Sequence, residues 1–240
     1  MINTILFDLD GTLLQFTQKA FIDNYFAKLG KVFAGLGMDT EKSVKAVWAG
    51  TKAMFLNDGS RTNHEQFWST FAEHTGLSGN KLNAVESACD SFYMNEFDSI
   101  KSILATNDIP KRLVHTLKSK GYSLVLATNP LFPECAVTTR SRWTGLETDD
   151  FDYVTHYKNC SYCKPNLGFY RDIFEKIQKQ PKQCLMVGNS PVEDMSVCEL
   201  GAETFLVIDC LENETNANIT EFRQGSLMEL EKYLTDLTII

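Results

Sequence analysis

The chain has 240 residues, 43% of them hydrophobic and 22% charged, which is enough for one substantial core plus an inserted subdomain. Its net charge of −8 and pI near 5.1 exclude the broad basic surface that nucleic acids and membranes require. No apolar run reaches the roughly 18 residues of a membrane helix, and the first residues do not have the pattern of a secretory leader. We therefore expect a cytoplasmic protein.

The first predicted strand, residues 4–7, is apolar and ends at two acidic residues, Asp8 and Asp10. Residues two apart on a strand share a face, so both carboxylates are expected to converge on one metal ion and one substrate group. Buried like charges repel, and a cation such as Mg²⁺, which prefers oxygen ligands, would relieve that repulsion. Gly11 permits a tight exit from the strand, with backbone N–H groups facing an anion. The segment predicts a magnesium-dependent enzyme that acts on phosphate.

The next stretch, residues 15–97, has amphipathic helical patterns and no convincing strand. It predicts an α-helical subdomain inserted into an α/β core made of residues 1–14 and 98–240. Aromatic and apolar residues recur here at helical spacing, which is more typical of a packed core than of a cofactor site. These residues are Phe21, Tyr25, Phe26, Leu29, Phe33, Phe67, Trp68, Phe71, Val85, Phe92 and Tyr93.

Apolar runs then alternate with helical patterns, which predicts a Rossmann-like parallel sheet with helices on both faces. One helix is expected after Asp108, with Pro110 in its first turn and Gly121 at its end. A second is expected to begin at Lys164-Pro165. The expected strands are residues 123–127, 151–155, 184–187 and 204–208.

Polar residues follow the predicted strands at Thr128-Asn129 and Gly188-Asn189-Ser190, and Lys164 precedes a predicted helix. In open α/β sheets, ligands bind beyond the carboxyl ends of the strands. These residues are therefore expected to meet Asp8 and Asp10 in one crevice, although they lie far apart along the chain.

The seven cysteines are an odd number without a secretory pattern, so a disulfide framework is not expected. Cys160 and Cys163 form a pair that could bind zinc or undergo redox chemistry, and His156 lies nearby. One such pair supplies only half of a tetrahedral zinc site, so packing is the favoured interpretation.

The order of these motifs resembles the haloacid dehalogenase-like superfamily, whose first motif is Asp-x-Asp-Gly-Thr. The resemblance covers nearly the whole chain and implies a phosphatase with a helical cap inserted between motifs one and two. The four motifs in this chain are Asp8 to Thr12, Thr128, Lys164-Pro165 and Gly188 to Asp194.

The resemblance implies a role for each matching residue. Asp8 would be the nucleophile that forms an aspartyl-phosphate, and Asp10 would protonate the leaving oxygen and then deprotonate the attacking water. Thr128 and Lys164 would stabilise charge on the transferring phosphoryl group. Gly11, Thr12 and the Asn129 backbone N–H would bind phosphate. The implied magnesium ligands are Asp8, Asp10, Asn189 and Asp194.

Motif four departs from the family pattern, because Asn189 stands where the family normally has aspartate. An amide oxygen can bind magnesium but brings no charge, so weaker metal binding is expected. Whether Asn189 or Asp194 is the direct ligand stays open. Ser190 and Glu193 have the spacing of a capping box, so Glu193 is expected to cap a helix. Arg140 and Arg142 are interpreted as structural residues on a core helix.

A phosphatase for a small phosphorylated metabolite is the leading functional hypothesis. A phosphomutase or another hydrolase of this superfamily is an alternative, although Asp10 argues against dehalogenase chemistry, which needs no acid for an alkoxide. A binding or regulatory protein with little turnover is a second alternative, supported only by Asn189. The substrate candidates are sugar phosphates, phosphoglycolate and nucleoside monophosphates.

Overall fold

The structure is a computed structural model that describes residues 1–16, 18–104 and 107–237. Within this part of the chain, six parallel strands form one sheet in the order β3-β2-β1-β4-β5-β6. The strands are β1 (Thr4–Phe7), β2 (Ser123–Leu126), β3 (Tyr153–Val154), β4 (Cys184–Gly188), β5 (Glu203–Val207) and β6 (Gln224–Gly225). The predicted α/β, Rossmann-like fold is confirmed.

Both faces of the sheet are covered, because alternate residues of the central strand pack in opposite directions. Ile5 and Phe7 belong to the buried cluster that also contains residues of α5 (Ile109–Ser119) and α8 (Leu227–Asp236). Leu6 faces the other side, where it joins a cluster with residues of α7 (Leu167–Lys176). A strand buried on both faces has to be apolar throughout, as β1 is.

Four helices connect β1 to the rest of the core, and residues 18–95 contain no strand. They are α1 (Gln18–Gly35), α2 (Thr40–Phe55), α3 (Asn63–Thr75) and α4 (Gly79–Asn95). A further helix of the core, α6 (Glu134–Trp143), follows β2. The prediction of a helical stretch in this part of the chain is confirmed. Asp39 caps α2, and Thr62 and Glu65 form a capping box at the start of α3.

The predicted boundaries were accurate where the apolar pattern was strong. β1 has the predicted bounds, and α5 begins directly after Asp108 with Pro110 in its first turn. The start predicted for α7 was wrong, because the helix begins at Leu167 and Asn166 caps it by accepting a hydrogen bond from the Gly168 N–H at 2.8 Å. β6 was missed because a two-residue strand containing glycine has no apolar pattern.

All seven cysteines are free thiols. Cys160 and Cys163 are buried, and burial raises the pKa of the Cys160 thiol to about 12, so it stays protonated near neutral pH. Cys163 packs with Met54 and Tyr157. No helix in the described ranges is both long and apolar enough to cross a bilayer.

Candidate active site

The sheet brings the separate motifs to one edge. β1 lies between β2 and β4, and Phe7 pairs with Leu126 on one side and with Val187 on the other. Because all three strands are parallel, the residues that follow them emerge together. Asp8, Thr128 and Asn189 all line one cavity at this edge, as the motif spacing predicted.

The central feature of this edge is a buried lysine held between two carboxylates. Lys164 Nζ lies 2.8 Å from Asp8 Oδ1 and 2.6 Å from Asp194 Oδ1. Only 1% of the surface of Lys164 is exposed, and Asp8 and Asp194 are also buried. Charges this deeply buried need partners of opposite charge. Here Lys164 is the partner of both carboxylates. The trio therefore fixes the position of Asp8.

The pKa shifts within the trio reflect burial and pairing. Burial alone would lower the pKa of Lys164, but the neighbouring Asp194 and Asp8 carboxylates raise it well above its ordinary value. Burial raises the pKa of Asp194, and the Lys164 charge opposes that rise. Lys164 therefore stays protonated and keeps a positive charge beside Asp8 at neutral pH.

Both carboxylate oxygens of Asp194 accept hydrogen bonds within the protein. Its Oδ1 is bound by Lys164, and its Oδ2 accepts a hydrogen bond from the Ser190 N–H at 2.9 Å. A side chain added at Gly188 would collide with Asp194, because the added Cβ would lie 2.1 Å from its Cγ. The geometry thus gives Asp194 the role of holding Lys164, which the sequence did not distinguish from metal ligation.

In the turn after β1, two of the backbone N–H groups that were predicted to face an anion form hydrogen bonds within the protein. The Gly11 N–H donates to the Leu14 carbonyl at 2.8 Å, and the Thr12 N–H donates to the Leu9 carbonyl at 3.2 Å. The expectation that these groups are free was therefore wrong. The neighbouring backbone N–H groups of Leu9 and Asp10 have no acceptor among the described residues.

Gly11 is required here for two reasons. Its φ is +80°, a backbone conformation that other residues rarely adopt. A Cβ at this position would lie 2.1 Å from Asn189 Nδ2, so the turn and the Asn189 side chain fit together only without one.

Asn189 presents its oxygen to the site. Its Nδ2 donates to the Cys210 carbonyl at 2.7 Å, which fixes the orientation of the amide. The Thr12 hydroxyl lies 3.2 Å from Asn189 Oδ1 and 3.1 Å from Asp8 Oδ2. One hydroxyl thus links the amide of motif four to the first carboxylate of motif one.

Asp10 has a partner that the sequence did not indicate. The guanidinium of Arg140, on α6, forms an ion pair with Asp10 Oδ2 and lies 4.4 Å from the ring centroid of Phe132. Arg140 is fully buried, whereas the Asp10 side chain is 32% exposed and lines the cavity. Burial raises the pKa of Asp10, while the Arg140 charge opposes that rise. The interpretation of Arg140 as merely structural missed this contact, because nothing in a helical pattern reveals where an arginine points.

The side chain of Asn129 links the backbone of Lys164 to the carboxylate of Glu193. Asn129 Oδ1 accepts a hydrogen bond from the Lys164 N–H at 3.2 Å, and its Nδ2 donates to Glu193 Oε2 at 2.9 Å. The Glu193 N–H donates to Ser190 Oγ at 3.2 Å, which is only half of the predicted capping box. The other half is absent because the Ser190 N–H donates to Asp194 Oδ2 and the Glu193 carboxylate is bound to Asn129.

Negative charge exceeds positive charge around Asp8. Burial raises the pKa of Glu193 to about 7, and burial together with Asp8 and Asp194 raises that of Glu212 to about 7. Lys164 is the cation paired with Asp8 and Asp194. No group of three or more His, Cys, Asp or Glu side chains that could hold a metal ion occurs in residues 1–16, 18–104 and 107–237. The hard oxygen donors Asp8 and Asn189 and the excess of negative charge nevertheless fit a cation such as Mg²⁺.

Comparison with known proteins agrees with this arrangement. A family model described as haloacid dehalogenase-like hydrolase matches residues 2–199 of the chain. The chain belongs to the haloacid dehalogenase-like hydrolases. No curated protein sequence matches it at a significant level.

Three solved structures of haloacid dehalogenase-like proteins resemble this one over nearly its full length. A HAD phosphatase from Thermococcus onnurineus is 19% identical, with a TM-score of 0.60 and coverage of 99% of this chain and 100% of that one. The L-2-haloacid dehalogenase of Xanthobacter autotrophicus is 16% identical, with a TM-score of 0.58 and the same coverage. The HAD-hydrolase YfnB of Bacillus subtilis, described as bound to magnesium, is 19% identical, with a TM-score of 0.54 and coverage of 97% and 98%. At these identities the likeness establishes the shared fold.

Proposed function

We propose that this haloacid dehalogenase-like hydrolase is a magnesium-dependent phosphatase that acts on a small phosphorylated metabolite through an aspartyl-phosphate. The observation that supports this best is the buried Asp8 carboxylate at the end of β1, held 2.8 Å from Lys164 Nζ. A carboxylate nucleophile splits a difficult hydrolysis into two easier displacements. The adjacent lysine can stabilise the negative charge of the transferring phosphoryl group.

In the first step, an Asp8 oxygen attacks phosphorus, and the bond from phosphorus to the leaving alcohol breaks. Asp10 protonates the departing oxygen. Water then attacks phosphorus, the bond to Asp8 breaks, and Asp10 takes the proton of that water. The products are the free alcohol and inorganic phosphate.

Asp10 has to be protonated in the first step of this reaction and ionised in the second, and its surroundings favour each of these states. Burial favours the neutral acid that donates the first proton, while the paired Arg140 favours the carboxylate that accepts the second. Thr128, Lys164 and the backbone N–H groups of Leu9, Asp10 and Asn129 are the proposed contacts to the phosphoryl oxygens.

The proposed magnesium ligands are the Asp8 carboxylate, the Asn189 amide oxygen and the backbone carbonyl of Asp10. When bound, the ion would neutralise charge on Asp8 and on the phosphoryl oxygens. Asp194 is proposed as the residue that positions Lys164. The four helices α1–α4 are proposed as a cap, and residues 1–14 with 98–237 as the catalytic core.

The test is phosphate release from p-nitrophenyl phosphate with magnesium, measured for the wild type and for Asp8→Asn. The substitution keeps the shape of the side chain but removes its nucleophilic charge, so we expect activity to fall by at least about a thousandfold. Asp23→Asn is the matched control, because Asp23 lies exposed on α1, where it pairs with Lys19. It should retain wild-type activity.

Equal rates for Asp8→Asn and the wild type would contradict the proposed phosphatase. Two further measurements separate it from other chemistry of the family. Halide release from 2-chloropropionate would indicate a dehalogenase. Isomerisation of a sugar phosphate that is faster than its loss of phosphate would indicate a mutase.

A further inference from the structure

A single large cavity joins Asp8 to the interior of the four-helix segment. Its volume is about 940 Å³, and it extends from Asp8 at the strand ends to Phe26 on α1 and Trp48 on α2. This is the upper part of the range found for sites that bind drug-sized ligands. A phosphoryl group bound beside Asp8 would therefore leave most of the cavity to the alcohol it is attached to.

The helical side of this cavity consists largely of aromatic rings, which we call the aromatic roof. Its main members are Tyr25, Phe26, Trp48, Phe67 and Tyr93, and the fully buried Phe71 packs against Phe67. The rings pack against one another, as in the stacked pair Phe26 and Trp48 with centroids 5.1 Å apart. An apolar group that binds against such a wall is stabilised, because apolar surface is removed from water. A group that needs hydrogen bonds finds few partners there.

Hydroxyl groups of the roof already have hydrogen-bond partners within the protein. The Tyr25 and Tyr93 hydroxyls lie 2.6 Å apart and bond each other, and the Thr51 hydroxyl donates to the Val47 carbonyl at 3.0 Å. A sugar whose hydroxyl groups lay against the rings of the roof would lose its bonds to water and find few replacements there, because the polar lining residues Asn129, Asn213 and Asn216 lie outside the roof. Such a loss is costly for each buried polar group.

The charges of the cavity also restrict the leaving group. Among the described residues, the wall contains no Lys, Arg or His, whereas Glu193, Asp209, Glu212 and Glu214 all face it. The buried cations nearby, Lys164 and Arg140, are already paired with carboxylates. A second phosphate or a carboxylate on the substrate would therefore meet only like charge beyond the catalytic end.

We propose that the substrate is a phosphate monoester of a bulky apolar alcohol, aromatic or branched aliphatic, whose hydrocarbon part enters the aromatic roof. The proposal rests on the phosphatase function proposed above. It excludes phosphoglycolate, bisphosphates and sugar phosphates as preferred substrates, because each places charge or several hydroxyl groups against the roof.

The first test compares kcat/KM across phosphate monoesters. The apolar probes are 1-naphthyl phosphate and n-octyl phosphate, and the polar probes are glucose 6-phosphate, phosphoglycolate and adenosine monophosphate. We expect both apolar probes to exceed every polar probe by about tenfold or more. A polar probe with an equal or higher kcat/KM would overturn the inference and leave the phosphatase function intact.

A pair of neighbouring variants tests whether the roof itself makes this selection. Phe55 lines the cavity and is 39% exposed, whereas Leu56 is 73% exposed and lies outside it, so both sites can accept a polar residue. We expect Phe55→Asp to lower kcat/KM for 1-naphthyl phosphate by about tenfold, and Leu56→Asp to leave it unchanged. Equal effects of the two substitutions would contradict a role of the roof in substrate selection.

Binding can be measured without turnover. Two of the three tryptophans, Trp48 and Trp68, line the cavity, so their fluorescence should respond when an apolar group enters. We expect n-octylphosphonate, which cannot be hydrolysed, to change this fluorescence at concentrations at least about tenfold lower than methylphosphonate. Equal affinities would overturn the inference. This result is independent of phosphate release, so the inference remains testable even if no ester is hydrolysed.

Discussion

The two sides of the cavity are built from different chemistry. The polar floor, formed by Asp8, Asp10, Lys164, Asn189 and Asp194, holds charges that are paired with one another or with Arg140. The aromatic roof is formed by apolar side chains of α1–α4 that pack on one another. The floor depends on electrostatics and therefore on pH and, in the proposed function, on a metal ion, whereas the roof depends on apolar contact and should not.

This difference explains why residue identity is more strongly constrained in the floor than in the roof. A floor residue is constrained by its charge and by the hydrogen bonds it makes, so an exchange there changes the electrostatics of the site. A roof residue only has to be apolar and of suitable size, because apolar packing is not directional. Four substitutions test the comparison, and they are given from the largest expected effect to the smallest.

Lys164→Met should have the largest effect, because it leaves Asp8 and Asp194 buried without their cation. We expect the free energy of unfolding at pH 7.5 to fall by about 3–5 kcal/mol. The loss should be smaller at pH 5, where protonation relieves the repulsion between the carboxylates. Urea unfolding at both pH values measures this. Lys182→Met, at an exposed lysine, is the control and should change stability little.

Glu193→Gln should stabilise the metal-free protein above neutral pH. Burial raises the pKa of Glu193 from 4.5 to about 7. Between these two values the unfolded chain releases the proton and the folded chain keeps it, so wild-type stability falls as pH rises through this window. Glutamine cannot ionise and can still accept the hydrogen bond from Asn129.

With EDTA at pH 8, we therefore expect Glu193→Gln to be more stable than the wild type by on the order of 2 kcal/mol, with no difference below pH 4.5. Thermal unfolding across this pH range measures the difference. A difference that does not depend on pH would show that the carboxylate of Glu193 has an ordinary pKa.

Asn189→Asp should strengthen magnesium binding, because it adds a negative charge to the proposed ligand set. We expect the magnesium concentration for half-maximal activity to fall by about tenfold. Without magnesium the variant should be less stable than the wild type, since a carboxylate cannot donate to the Cys210 carbonyl as the amide does. An unchanged half-saturation concentration would remove Asn189 from the proposed metal site.

Phe71→Leu should have the smallest effect and should reveal the character of the roof. Phe71 is fully buried and stacks on Phe33 and Phe67. We expect a loss of about 1 kcal/mol in the free energy of unfolding, equal at pH 5 and pH 8 and with or without magnesium. A clear dependence on either condition would contradict the separation of floor and roof.

Much of the fold could be predicted from the sequence. Strongly apolar runs gave β1 its predicted bounds and placed β2, β4 and β5 within about one residue, because strands buried on both faces must be apolar. The motif order also placed Asp8, Thr128 and Asn189 at one edge of the sheet. The short β6 and the start of α7 were not predictable, since a two-residue strand and an asparagine cap have little pattern of their own.

The aromatic residues of the helical stretch show the limit of sequence reasoning. Helical spacing correctly indicated that Tyr25, Phe33 and Phe71 are buried, but Phe26 and Phe67, which belong to the same pattern, are only partly buried and line the cavity. Periodicity reports which face of a helix avoids water. It does not report whether that face meets another helix or an open space.

The sequence by itself determined the class of the fold, the family and the residues at the strand ends, because local apolar patterns and motif spacing are properties of the chain. Only the tertiary structure decided the partners of these residues. It paired Arg140 with Asp10, engaged Asp194 with Lys164 and placed an aromatic wall above Asp8. Contacts between residues far apart in the chain depend on how the elements pack, and side-chain direction is fixed only after that packing is complete.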